Sequence, residues 1–193
     1  MVVLNRIYTR TGDGGETRLA TGEPVRKDCA RVAAYGDVDE CNSALGMARL
    51  HAGPELDPLL ASIQNDLFDL GADLATPERD EPLGREALRI TEPQVARLER
   101  EIDRLNADLE PLTSFVLPAG SAAAAHLHLA RAVCRRVERR AVTLAAEPGE
   151  RVSSAAVKYL NRLSDLLFVA ARWANDRGRA DVLWTPGANR QAD

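Results

Sequence analysis

The chain has 193 residues, 45% hydrophobic and 28% charged, and its 25 basic and 29 acidic residues leave a net charge of −4. That length suits one ordinary domain with a core of its own, and the composition excludes a disordered or membrane-embedded chain. The acidic balance also argues against a broadly basic nucleic-acid binder, so neither nucleic acid nor membrane is expected as a partner.

Lys27 and Lys158 are the only lysines. Cys29, Cys41 and Cys134 are odd in number, far apart in sequence and set in helix-like surroundings, which reads as buried reduced thiols of a cytoplasmic protein. Arg6, Arg10 and Asp13 interrupt any early apolar run, so no signal peptide is expected. The longest uncharged stretch, 111–130, carries Pro111, Pro118, Gly120 and two histidines, and is no membrane span.

Aromatics are 4% of the chain, and alanine and leucine abound, favouring helix over sheet. Residues 5–26 are rich in glycine, threonine and charge without a sustained period, and read as a long loop. A first helix is expected from Asp28 to Ala52, stopped by Gly53-Pro54, and a second from Pro58 to Ala75. Residues 77–84 form a polar linker. Thr91-Glu92-Pro93-Gln94 opens a third helix with a capping threonine, and Pro111 ends it. The fourth begins near Gly120-Ser121 and closes at Pro148-Gly149; the fifth runs from Ser153 to Arg177 with Gly178 as its stop. Five long helices with short connections predict an all-α, up-and-down five-helix bundle. The expected organisation is one domain: an N-terminal nucleotide loop at 1–27, a bundle at 28–177 and a tail at 178–193.

Chemistry concentrates in a few places. Thr9-Arg10-Thr11-Gly12-Asp13-Gly14-Gly15-Glu16-Thr17, followed by Arg18 and Lys27, has the glycines, hydroxyls and cations of a phosphate cradle. It lacks GxxxxGK[ST], and Thr17 stands where the dinucleotide fingerprint needs its last glycine, so an ordinary turn-rich arm competes with it. On the fourth helix Arg131, Arg135, Glu138 and Arg139 fall at i, i+4, i+7 and i+8, beside an apolar stripe of Ala130, Cys134, Val137, Ala141 and Leu144. A salt-bridge ladder and a polyanion clamp both satisfy that row. Arg136 and Arg140 project further round, towards solvent. The fifth helix places Asn161 and Asp165 on one face, flanking Leu160, Leu163, Leu167, Ala170 and Ala174, and the first offers Asp37, Asp39, Glu40 and Asn42. His126 and His128 face apart on a helix, there is no ExxH, and no cysteine pair has zinc spacing, so no dedicated metal ligands are expected.

The loop TRTGDGGET, Lys27-Asp28 leading to AYGDVDECNSALG, SFVLPAGS, RAVCRRVERR and NRLSDLLFVAAR come in the order of one family. The chain resembles a PduO-type ATP:cob(I)alamin adenosyltransferase over residues 7–172. The resemblance implies a five-helix homotrimer with sites at subunit interfaces. It implies transfer of the 5′-deoxyadenosyl group from ATP to cob(I)alamin, giving adenosylcobalamin and triphosphate. Mg²⁺ would travel with the ATP, near Glu138. A cob(II)alamin reductase and an adenosylcobalamin-dependent enzyme would be partners.

Carried over by motif, Thr9, Arg10, Thr11, Gly12, Thr17, Arg18 and Lys27 are similar to the family's nucleotide loop and phosphate-binding lysine. Arg135, Arg136, Glu138 and Arg139 resemble its nucleotide-binding helix, with Asn161 beside them. In the family pattern Asp39 pairs with Arg131 across the interface, and Asp165 joins that polar cluster at the cobalamin. Phe115 resembles the aromatic that displaces the lower axial ligand of cobalamin. Arg131, Arg135, Phe115 and Asp39 are therefore the expected catalytic set. Ala119 stands where many members carry a second glycine. Without the resemblance, a non-catalytic bundle that carries or senses a nucleotide or corrinoid fits the same residues.

Overall fold

The computed structural model describes residues 7–80 and 86–190. A two-stranded hairpin, β1 (Glu16–Arg18) and β2 (Pro24–Arg26), precedes five helices: α1 (Ala30–Arg49), α2 (Asp57–Leu74), α3 (Glu92–Asn106), α4 (Ala122–Ala146) and α5 (Ser154–Ala174). The expected all-α bundle is present, with helix boundaries close to those the punctuation predicts. Two ends are shorter. Helix α3 stops at Asn106 rather than Pro111, and α5 at Ala174, where Asp176, Arg177 and Gly178 turn the chain through positive φ. Caps act where the sequence places them: the Gln94 side chain accepts the Thr91 backbone N–H at 2.9 Å, and Ser121 Oγ accepts from Ala124 N at 3.2 Å.

The core is built from helical periodicity. Ala34, Val38, Cys41, Leu45 and Ala48 of α1 meet Ala130, Cys134, Val137, Ala141 and Leu144 of α4 in one buried cluster. Small residues on both sides let the two helices lie close. Helix α2 packs on the outer side of α1, and α5 on the other side of α4. The neighbour order corrects the simple up-and-down expectation: α3 packs on α5, so the connection 107–121 crosses the bundle end to start α4 on the far side of α5. Long connections are the exception in bundles, and this one carries Phe115.

Residues 16–26, expected as loop, form the hairpin, with Thr17 opposite Val25. Each strand has three residues and turns one partly inward, too short for an alternating pattern to register. Its turn is tied to the bundle, the Ala20 N–H donating to Ala75 O at 3.0 Å. Nearby, buried Arg31 donates to Leu74 O at 2.6 Å and to Glu150, satisfying a carbonyl that the end of α2 leaves open. Cys41 and Cys134 are buried and free, as expected; Cys29, at the start of α1, is only half-buried. Cys134 Sγ donates to Leu160 O at 3.4 Å and Cys41 Sγ to Ala130 O at 3.8 Å; the neighbouring Cys41 thiol, with burial, pushes the Cys134 thiol well above the ordinary range.

Candidate active site on helix α4

Helix α4 offers different chemistry on its successive flanks. Towards α1, Arg136 pairs with Asp37 at 3.5 Å and with Glu40, and Arg140 lies 3.5 Å from Asp37. Both arginines were expected in solvent: Arg140 is exposed, as expected, whereas Arg136 is half-buried against α1. A helical projection gives direction about one axis and omits the neighbouring helix whose carboxylates line that flank. The interhelix ladder thus exists, but on the flank opposite the predicted stripe.

On that stripe Arg135 and Arg139 are exposed, and among the described residues neither has a carboxylate partner; Arg139 donates only to Arg135 O, at 3.0 Å. Glu138 faces α5, where Asn161 Nδ2 donates to its Oε1 at 3.0 Å. Arg131 is half-buried with its guanidinium 5.6 Å from the centre of the Phe168 ring. Burial, then the charge of Arg135, works against its protonated form, and Asp165 supports it.

Arg131 opens into a cleft of about 570 Å³ lined also by Phe115, Val116, Pro118, His128 and Phe168. Phe115 stands at its mouth, 76% exposed, a high figure for a large apolar side chain. His128 forms the floor at 3% exposure, edge-on to Phe168 at 6.2 Å, and its Nε2 has no partner among the described residues. Burial, reinforced by Arg131, holds this imidazole below its usual pKa and therefore neutral near pH 7. His126 points elsewhere, stacked on His51 at 5.4 Å, as expected for residues two apart.

With about 1.5 Å of rise per residue, Arg131, Arg135 and Arg139 are spaced about 6 Å apart along one rigid axis. An apolar cleft and an unpaired cationic row therefore follow one another on α4.

The N-terminal loop sits at the hairpin end. Lys27 Nζ donates to Gly12 O at 2.8 Å, and its backbone N–H to Gly15 O at 2.9 Å, so the lysine and the glycine turn are held together. The hydroxyls of Thr9 and Thr11 share a 2.9 Å hydrogen bond, and Arg10 adopts φ +63° with its guanidinium over the Tyr8 ring. A positive φ in arginine is uncommon and costs backbone energy. Thr17 lies in β1, and Arg18 donates to Gly22 O across the hairpin turn at 2.8 Å.

Asp39 is exposed on α1 beside a groove of about 470 Å³ shared with α2, with Tyr35, Asn42 and Phe68. Within the chain it makes no ion pair with Arg131 among the described residues. Asp165 is exposed on α5. Ala119 has no positive φ, so a side chain fits there; the glycine this turn requires is Gly120, at φ +104°. Sequence reasoning weighed His128 only as a metal ligand, and passed over Phe168. The signal was spacing: His128 precedes Arg131 by three residues and Phe168 follows Asp165 by three, one helical turn in each case.

Residues 7–174 match the family model described as cobalamin adenosyltransferase. The chain belongs to that family. It is 50% identical to a corrinoid adenosyltransferase of Mycobacterium tuberculosis, over 99% of this chain and 98% of that protein. It is 43% identical to a corrinoid adenosyltransferase of Bacillus subtilis, over 92% of this chain and 91% of that protein. Among solved structures it is similar to a variant of the PduO-type ATP:corrinoid adenosyltransferase from Lactobacillus reuteri complexed with cobalamin and ATP. That likeness has a TM-score of 0.86 and 38% identity, covering 94% of this chain and 97% of the other. This family membership takes the catalytic reading ahead of the carrier or sensor.

Proposed function

We propose that the chain binds ATP and cobalamin and transfers the 5′-deoxyadenosyl group of ATP to the cobalt of cob(I)alamin, releasing triphosphate. The observation that carries the site assignment is the cleft of Phe115, Arg131 and Phe168 followed, on the same helix, by unpaired Arg135 and Arg139. Co(I) supplies the electron pair that forms the Co–C5′ bond. The C5′–O bond breaks, and its pair leaves with triphosphate. The protein therefore needs no nucleophile of its own; it has to hold the leaving group and aim C5′ at the metal.

Lys27, Arg135 and Arg139 take the phosphate oxygens, Thr9, Arg10, Thr11 and Gly12 complete the cradle, and Thr17 and Arg18 shape it. Asn161 orients Glu138 beside it. Arg136 acts through its α1 carboxylates to fix the helix flank. Among the described residues no group of three His, Cys, Asp or Glu side chains could hold a metal ion; Mg²⁺ is commonly held by substrate phosphates with one or two carboxylates, and Glu138 is the carboxylate at hand. Mg²⁺ enters with the nucleotide. Phe115 occupies the position of the lower axial ligand, and Asp165 lies at the edge of the corrinoid.

The active assembly is a homotrimer in which Asp39 of one subunit meets Arg131 of the next. Supporting this, Asp39 sits beside Phe68, a 71% exposed aromatic on the α1–α2 face. The chain works as one domain, with arm 1–27, bundle 28–177 and tail 178–193. Its free thiols favour the reducing cytoplasm, and among the described residues no helix is long and apolar enough to cross a membrane. A one-electron reductase supplies Co(I), and an adenosylcobalamin-dependent enzyme takes the product.

The test is an anaerobic spectral assay with MgATP and chemically reduced cob(I)alamin, following light-sensitive adenosylcobalamin. Product that disappears with Arg135→Ala supports the reaction and the clamp. A folded chain that binds ATP and corrinoid without forming product points to a carrier or sensor.

A further inference from the structure

The tail beyond α5 is fastened to the connection that carries Phe115. The Asp181 side chain, buried within a half-buried residue, accepts from Arg172 Nε at 2.8 Å and from Asn175 Nδ2 at 3.2 Å, which fixes where the tail leaves the bundle. From there it runs antiparallel to the connection, Val116 bridging to Leu183. Leu117 N–H donates to Val182 O at 2.8 Å, Trp184 N–H donates to Phe115 O at 2.7 Å, and Ser114 Oγ donates to Trp184 O at 2.7 Å. The rings of Phe115 and Trp184 meet edge to face, 6.0 Å apart at 61°.

A ring as exposed as Phe115 has little packing of its own to select a rotamer. The backbone pairing fixes where its Cα stands, and the Trp184 ring limits where its side chain can turn. We infer that Trp184 is a positioning residue for Phe115, and that segment 181–184 is a strap that aims this aromatic into the cleft. The inference rests on the wedge role assigned to Phe115 above. Trp184 itself is absent from the cleft lining, and its effect passes through Phe115.

The experiment compares turnover of cob(II)alamin, supplied with a chemical one-electron reductant, with turnover of pre-reduced cob(I)alamin. It is paired with the visible spectrum of cob(II)alamin bound with MgATP, which reports the fraction lacking its lower ligand. Trp184→Ala is expected to lower the Co(II)/Co(I) rate ratio about 3- to 10-fold, the scale of one aromatic pair, and to lower the ligand-free fraction in step. Trp184→Phe keeps a ring edge and restores both. In a Phe115→Ala background, Trp184→Ala lowers the ratio no further, because the group it positions is gone.

An unchanged ratio in Trp184→Ala, or losses that multiply independently in the double variant, would overturn the inference. Should Trp184→Ala fold poorly, Trp184→Leu provides the same comparison with the bulk retained. Failure of the wedge reading is visible separately, as a Phe115→Ala enzyme with the wild-type ratio. Failure of the adenosyltransfer reading is visible as a wild-type chain that forms no product even from cob(I)alamin.

Discussion

Removing Lys27 separates binding chemistry from folding. In the free chain its ammonium rests on Gly12 O at 2.8 Å, on an exposed surface, so Lys27→Ala gives up one hydrogen bond worth about 1 kcal/mol at most. For a domain of this size that is a melting shift below about 4 °C. In the proposed nucleotide complex the same ammonium faces a phosphate oxygen. At about 4 Å and an effective dielectric near 20 the attraction is about 4 kcal/mol, less the bond to Gly12 that must be released. The net of about 3 kcal/mol corresponds to about a hundredfold in kcat/KM for ATP. Gly12→Ala should share part of that loss, because a Cβ there lies 2.9 Å from Lys27 Nζ and 3.2 Å from Glu16 O and pushes the flexible lysine end aside. Steady-state adenosylation at saturating cob(I)alamin and varied ATP, with a melting curve on each variant, measures both quantities. A Lys27→Ala enzyme within threefold of wild type would refute the clamp as drawn.

Other outcomes concern the frame around the site. Gly120→Ala should lower the melting temperature by 6 °C or more, about 3 kcal/mol. Its Cβ would lie 2.2 Å from Asn175 Oδ1, in a buried side chain that holds Ser121 N and Ala119 O. A shift under 1 °C in differential scanning calorimetry would contradict this. Tyr159→Phe removes a buried hydroxyl that donates to Asp66 at 2.8 Å while Arg97 and Gln94 still serve that carboxylate. A loss of about 1–2 kcal/mol in chemical denaturation is expected, with activity retained. His128 is held neutral by burial and by Arg131 against the opposing pull of Asp181, so protons favour the unfolded chain. Stability is then complete above about pH 6.5, the unfolded value, and falls as pH drops below it, by at most about 1.4 kcal/mol per pH unit. His128→Gln should flatten the slope of melting temperature between pH 7.5 and 5.5; an unaltered slope would assign the dependence elsewhere.

The helices were legible because each has its own punctuation and period. Thr91-Glu92-Pro93-Gln94 and Gly120-Ser121 mark starts through local hydrogen bonds, and the alanine and leucine faces repeat at helical spacing. The shared face of Arg131, Arg135 and Arg139 was likewise readable, since one-turn spacing fixes which side chains of one helix lie together; that Asn161 comes beside Glu138, on another helix, was implied only by the family resemblance. What stayed hidden depends on which elements become neighbours. Arg136 and Arg140 reach carboxylates only because α1 lies along their flank. Arg31 and Arg172 look like surface arginines until the ends of other elements close over them. The pairing of Trp184 with Phe115 joins residues 69 positions apart, with no local pattern to announce it.

The cleft at Arg131 and the cations at Arg135 and Arg139 share one unbroken helix, so in the proposed reaction the distance between corrinoid and leaving group is a count of residues. Helix α4 works as a ruler. Inserting one residue between Arg131 and Arg135 would add about 1.5 Å and rotate the cations by about 100° out of line with the cleft. Inserting four would nearly restore the direction but lengthen the span by about 6 Å, more than the spacing of successive phosphates. For the proposed reaction, the length of that one segment is a dimension the site has to keep.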